Sequence, residues 1–119
     1  MAAPNIATTA IIKGKTVVGA ITTSAVSIVT NSAASGKVFR LATLLISNVS
    51  GTVNGDVSVY FRRSSVNYRI CYTIAVPADS TLAAVSKENT VYLEEGDEIQ
   101  VIASANSVLE YVASYEEIS

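Results

Sequence analysis

Short runs of alternating apolar and polar residues follow one another along the chain, broken by clusters of Gly, Asn, Asp, Ser and Pro. The breaks fall at Lys13-Gly14-Lys15, Asn31-Ser32, Ser35-Gly36-Lys37, Ser50-Gly51 through Asn54-Gly55-Asp56, Ser64-Ser65, Pro77-Ala78-Asp79, Lys87-Glu88-Asn89, Glu95-Gly96-Asp97 and Ala105-Asn106. Alternation of period two puts successive side chains on opposite faces of a strand, and no run repeats at the 3.6 spacing of a helix. Strands are expected near 16–21, 25–30, 37–47, 56–63, 68–76, 80–86, 90–94, 97–104 and 108–116. Many short strands with regularly spaced turns predict an all-β fold, a single antiparallel β-sandwich of jelly-roll-like form. Residues 1–12 read as an N-terminal arm or first edge segment, and 13–119 as the sandwich domain.

Two segments suggest hairpins. In 56–76, a symmetric loop at Ser64–Asn67 pairs Phe61 with Ile70, Val59 with Tyr72 and Val57 with Ile74, all on one face. That register sets Arg62 opposite Arg69 on the other face. Such a repulsive pair needs either full solvation or a carboxylate from a neighbour or from the C-terminal tail. At the end of the chain, Ile99, Val101 and Ala103 share a face with Leu109, Tyr111, Ala113 and Tyr115, which leaves Ile102, Val108 and Val112 as outer apolar residues. The segment 37–47 is apolar at both parities, with Phe39, Leu41 and Leu45 against Val38, Leu44 and Ile46. It is either central in the fold or in contact with another subunit.

Composition sharpens the β reading. Val and Ile, with Ser and Thr, dominate a chain that is 50% hydrophobic and 15% charged, and β-branched residues suit a pleated surface. The start, Met1 to Asn5, carries no basic residue and precedes no long apolar run, so neither a secretory signal nor a membrane-spanning stretch is expected. Cys71 is alone, so no intramolecular disulfide is expected, which fits synthesis in a reducing cytosol. In that compartment the Asn48-Val49-Ser50 sequon carries no glycan. Residues 1–87 hold all eight Lys and Arg and two of the ten acids, and residues 88–119 hold the other eight acids and no base. This split is either chance or complementarity, with the acidic part meeting a basic surface on the same chain or on a neighbour.

The search for chemistry ends mostly in exclusions. Without His, no Ser-His-Asp or Cys-His system exists and the commonest metal ligand is missing. One Cys builds no zinc or iron–sulfur site, and no Gly-rich phosphate loop occurs. The acidic run Glu94-Glu95-Gly96-Asp97-Glu98 lacks the spaced ligands of a calcium hand and reads as a solvated turn. An acidic chain, pI about 5.0, is a poor partner for nucleic acid, even with arginines at 62, 63 and 69. No enzyme, no cofactor, no nucleic-acid partner and no membrane are expected.

The opening Met1-Ala2-Ala3-Pro4-Asn5-Ile6, the segments Ser32–Phe39, Val76–Leu82 and Val91–Asp97, and the close Ser114–Ser119 together resemble the small virion structural proteins of marine tailed bacteriophages, such as those of cyanobacterial and Pelagibacter-type hosts. Leu93–Ile99 also resembles the Leu-x-x-Gly-Asp-x-Ile turn of jelly-roll and fibre-head domains. The resemblance implies a non-enzymatic part of the particle, located in the virion. A capsid decoration or cement subunit is the first expectation, and a tail, neck or fibre protein the second. The partners would be other virion proteins, the major capsid protein or tail and neck proteins, with a homo-oligomer expected and a trimer implied by the family's setting. A third possibility is a carbohydrate-binding receptor module, for which Tyr60 is the tyrosine placed outward, while Tyr68, Tyr72, Tyr111 and Tyr115 are expected inward. The candidate interface residues are Tyr60, Arg62, Arg69, Ile102, Val108, Val112, Glu116 and Glu117.

Overall fold

A computed structural model describes residues 11–119, the side chain of Lys87 excepted. Nine strands stand among these residues: β1 Ile12–Ile21, β2 Val26–Thr30, β3 Val38–Asn48, β4 Gly55–Arg63, β5 Val66–Val76, β6 Thr81–Val85, β7 Val91–Leu93, β8 Glu98–Ala103 and β9 Leu109–Ile118. A single 3-10 turn, Lys87–Asn89, separates β6 from β7. All pairings are antiparallel. The first sheet runs β1-β9-β3-β6, with β7 also on β3, and the second runs β2-β8-β4-β5. β6 and β7 are two halves of one strand position, because both pair with the edge of β3 that β9 leaves free. The strand is interrupted where β3 itself bulges, between Leu41 and Thr43. Counted this way, eight positions divide between two four-stranded layers in the order of a jelly roll.

The core lies between the layers. Leu41, Leu44 and Ile46 of β3, Val57 and Val59 of β4, Ile99 and Val101 of β8, and Leu109 and Ala113 of β9 are all buried there. Period-two alternation carries these inward and their neighbours outward. The bulge at Ala42 explains the two parities of 37–47: Phe39 and Leu41 point in before it, Leu44 and Ile46 after it. β3 is therefore central, flanked by β9 on one side and by β6 and β7 on the other.

Two buried asparagines close the ends of the sandwich. Asn31 donates to the carbonyls of Lys37 and Leu93, both at 3.0 Å, and accepts from the Ser35 hydroxyl. At the opposite end, Asn48 donates to the carbonyls of Val53 and Val76, both at 2.8 Å, and accepts from the Ser50 amide. Each satisfies loop carbonyls that would otherwise be costly to leave unpaired. The sequence marks Asn31 only as a turn residue; its structural role depends on loops far apart in the chain.

The expected register of 56–76 is partly overturned. Val57 does oppose Ile74, but Val59 opposes Cys71, Phe61 opposes Tyr68, and Arg62 opposes Asn67. Ser64 and Ser65, at φ 52° and 63°, make a two-residue turn of the type that fits the twist of paired strands, so the loop is shorter than the expected four residues. Two bulges in β5 then restore the pairing at Val57. Arg62 accordingly donates to Asn67 Oδ1 at 3.0 Å, and the opposed arginine pair does not form. Tyr68 and Tyr72, expected inward, are exposed, because β5 is an edge strand and the bulges re-aim its side chains.

The closing segment is not a hairpin. β8 belongs to the second sheet and β9 to the first, so residues 104–108 cross between layers. Two strands in facing layers turn alternate residues toward each other as a hairpin turns them to one side, and the pattern cannot separate the two. Val108, expected outward, is buried at this crossover. A Cβ on Gly55 would lie only 3.0 Å from its Cγ1. Of the arm expected over residues 1–12, residues 1–10 lie outside the described residues, while Ile11 exchanges two backbone hydrogen bonds with Ser119 and Ile12 begins β1.

Candidate interaction surfaces

The eight sequence-predicted interface residues do not form one surface. Inward-facing Val57, Val59, Ile99 and Val101 force Tyr60, Arg62 and Ile102 onto the outer face of the second sheet, and Arg69, opposite Tyr60, joins them. Val112 and Glu116 lie on the outer face of the first sheet. Val108 and Glu117 are buried and form part of no exposed surface.

The outer face of the first sheet carries an apolar row. Val18 pairs with Val112, Val112 with Leu45, and Leu45 with Ala83, so one rung crosses four strands. Val18 is 66% exposed, Val112 41% and Leu45 39%. The rungs on either side are nearly neutral. On one side, Thr16 shares a hydroxyl–hydroxyl bond of 3.1 Å with Ser114. On the other, Ser47 and Thr81 are 3.2 Å apart, and Glu110 is the one charged residue of that rung. Farther along, Arg40 pairs with Glu116 at 3.1 Å. The sequence singled out only Val112 of this row. The doublets Val17-Val18 and Leu44-Leu45 were the available signal, since one member of each must face away from the core.

The outer face of the second sheet is polar by contrast. Ser27 donates to Glu98, and Gln100 donates to Ser27 at 3.3 Å. The Arg69 guanidinium lies 4.5 Å over the Tyr72 ring. Tyr60, Tyr72, Asp56 and Ile102 line a shallow depression here.

Charge is settled within the chain. All five ion pairs among the described residues join a base from residues 1–87 to an acid from 88–119. Arg63 forks onto the buried Asp97 at 2.8 and 2.6 Å and reaches Glu94 at 2.7 Å. Asp97 also accepts from the Glu94 amide, and Glu95 accepts from the Gly36 amide. The acidic run thus has protein partners. The fork onto Asp97 raises the pKa of Arg63 further above its ordinary value. At the same end, Glu117 sits between Lys15, 3.0 Å away, and Lys37, 3.2 Å away. Burial pushes its pKa up, but the two lysines outweigh burial and leave it below the usual value. Cys71 is half-buried, and desolvation pushes its thiol pKa up, the opposite of an activated thiolate.

Set against known proteins, the fold has a counterpart. The chain is similar to a protein of the Bacillus endospore appendages, described as a novel family of disulfide-linked pili, at 14% identity and a TM-score of 0.52, over 89% of this chain and 85% of that one. At that identity the shared property is the fold, a β-sandwich. A chain of infectious bursal disease virus, Gx strain, aligns at 6% identity and a TM-score of 0.43, over 92% of this chain and 32% of that one. No family model and no curated protein matches the sequence.

Proposed function

We infer that this protein is a non-enzymatic structural subunit of a tailed-phage particle, a decoration or cement protein that docks through the outer face of its first sheet. The carrying observation is the Val18–Val112–Leu45 row. It is apolar, crosses four strands with Ala83, and is flanked by hydroxyl pairs, with Glu110 the one charge in the neighbouring rungs. Such a patch loses free energy to water and regains it against a second protein surface. The near-absence of charge around it lets a protein partner approach without stripping water from ions. The likeness of the sequence to small virion proteins of marine phages supports the choice of particle.

A cement protein stabilises a shell by binding the assembled lattice and not the loose subunits. Particles that carry the chain should therefore resist heat and osmotic shock better than particles made without it. Equal resistance, or absence of the chain from purified particles, contradicts the reading. Copy number separates it from a tail or neck role: a shell protein is present in hundreds of copies, whereas a few to dozens would move the chain to the tail.

A further inference from the structure

We propose that the depression on the outer face of the second sheet binds a neutral pyranose ring of a glycan. The inference is independent of where the chain sits in a particle. Thr73 holds φ 52°, a left-handed conformation that a β-branched side chain rarely adopts and that costs on the order of 1–3 kcal/mol. It lies in the bulge that sets Tyr72 and Thr73 against Ser58 alone, and Ser58 Oγ holds it by accepting the Thr73 amide at 2.9 Å. Without the two bulges of β5, the register set by the turn would place Tyr72 opposite Val57, facing into the sandwich. With them, Tyr72 turns outward and lines one depression with Tyr60. Bulges re-aim side chains in this way at functional sites.

What surrounds the two rings suits a sugar. The depression measures about 230 Å³, smaller than the roughly 300–1,000 Å³ of pockets for drug-sized ligands. Arg69 covers one face of Tyr72 and leaves the other for the C–H face of a ring. Ile102 extends the apolar floor. The Asp56 carboxylate has no hydrogen bond or ion pair among the described residues, so both oxygens can accept ligand hydroxyls. Ser104 accepts the Asp56 amide at 2.9 Å and keeps its own proton to donate, and Thr73 also lines the depression. A flat apolar surface beside convergent acceptors and donors recognises a ring that is apolar on its face and hydroxylated at its edge. The unpaired carboxylate selects against anionic sugars.

Saturation-transfer NMR on the intact chain tests this with the methyl glycosides of glucose, galactose, mannose and N-acetylglucosamine, and with methyl glucuronide as the anionic arm. Transfer is expected to ring protons of at least one neutral glycoside, and weaker transfer to the glucuronide. Tyr72→Ala and Asp56→Asn should each weaken binding about tenfold, with circular dichroism unchanged. Tyr68→Ala, at an exposed tyrosine on the same strand but outside the depression, should change nothing. No transfer from any neutral glycoside, equal binding by Tyr72→Ala, or stronger binding of the glucuronide would overturn the proposal. A bulge that only shields the edge strand predicts the first of these results.

Discussion

The two outer faces of this sandwich are built from similar strands but present different chemistry. On the first sheet, Val18, Val112 and Leu45 stand in one rung between hydroxyl pairs. On the second, the corresponding positions hold Ser58, Tyr60, Gln100 and Glu98, with ligand-sized relief in place of a flat row. Both faces rest on the same core, so neither difference is needed for folding. Outward positions on a strand are free of the packing constraints that fix inward ones. What they carry is therefore open to selection by whatever touches them: an apolar rung suits a protein surface, and exposed tyrosines beside an unpaired carboxylate suit a small hydroxylated ligand.

The comparison breaks most completely if the shared core fails. Leu44→Ala empties a fully buried site in the central strand and should cost about 2–5 kcal/mol, read as a lower denaturation midpoint in urea, with both faces lost together. Arg63→Ala comes next. It leaves the buried Asp97 carboxylate without its fork, and breaking a fully buried pair costs ~3–5 kcal/mol. Because Arg63 is itself about half exposed and water can replace it, about 1–3 kcal/mol is expected by the same measurement. If Arg63→Ala is neutral, the ion cluster does not hold that end of the sandwich.

The faces themselves are separated by a matched pair of substitutions. Val112→Asp on the first sheet should reduce retention on particles at least about tenfold, ~1.4 kcal/mol, while stability of the free chain changes little. Tyr60→Asp on the second sheet should leave retention intact. Equal loss from both would mean that the docking face has been misassigned. The smallest effect concerns pH. Glu117 has a lowered pKa in the folded chain, so its contribution is present above its ordinary value of 4.5 and is lost as the pH falls through the lower folded value. Thermal stability should thus decline on the acid side of pH 4.5. Substituting both Lys15 and Lys37 with Met should flatten that decline, whereas an unchanged slope would assign it to other acids.

Much of this architecture was legible in the chain. All nine strands overlap the expected segments, although β1 runs unbroken through the turn expected at Lys13-Gly14-Lys15, because Val and Ile alternating with Ser and Thr leave a strand no other stable face to bury. What stayed hidden is mostly register. A bulge shifts parity by one residue without any compositional mark, so Leu45 turned outward and Tyr72 escaped the core, and a two-residue turn at Ser64-Ser65 in place of a four-residue loop dissolved the Arg62–Arg69 opposition. Layer assignment was hidden too: β8 and β9 face each other across the core rather than lying side by side, and alternation is blind to that difference. The charge split was visible, but not its destination. Only the fold shows Glu116, Glu117, Glu94 and Asp97 meeting bases of their own chain. The proposed docking face is therefore the uncharged row of Val18, Val112 and Leu45.

An electron cryo-microscopy map of the intact particle puts that argument to its most direct test. The account predicts density for this fold on the shell with Val18, Val112 and Leu45 covered by a neighbouring protein and Tyr60 and Tyr72 facing solvent. A map in which the valine–leucine row is bare and the tyrosine face is buried, or one in which the fold is missing, would contradict it.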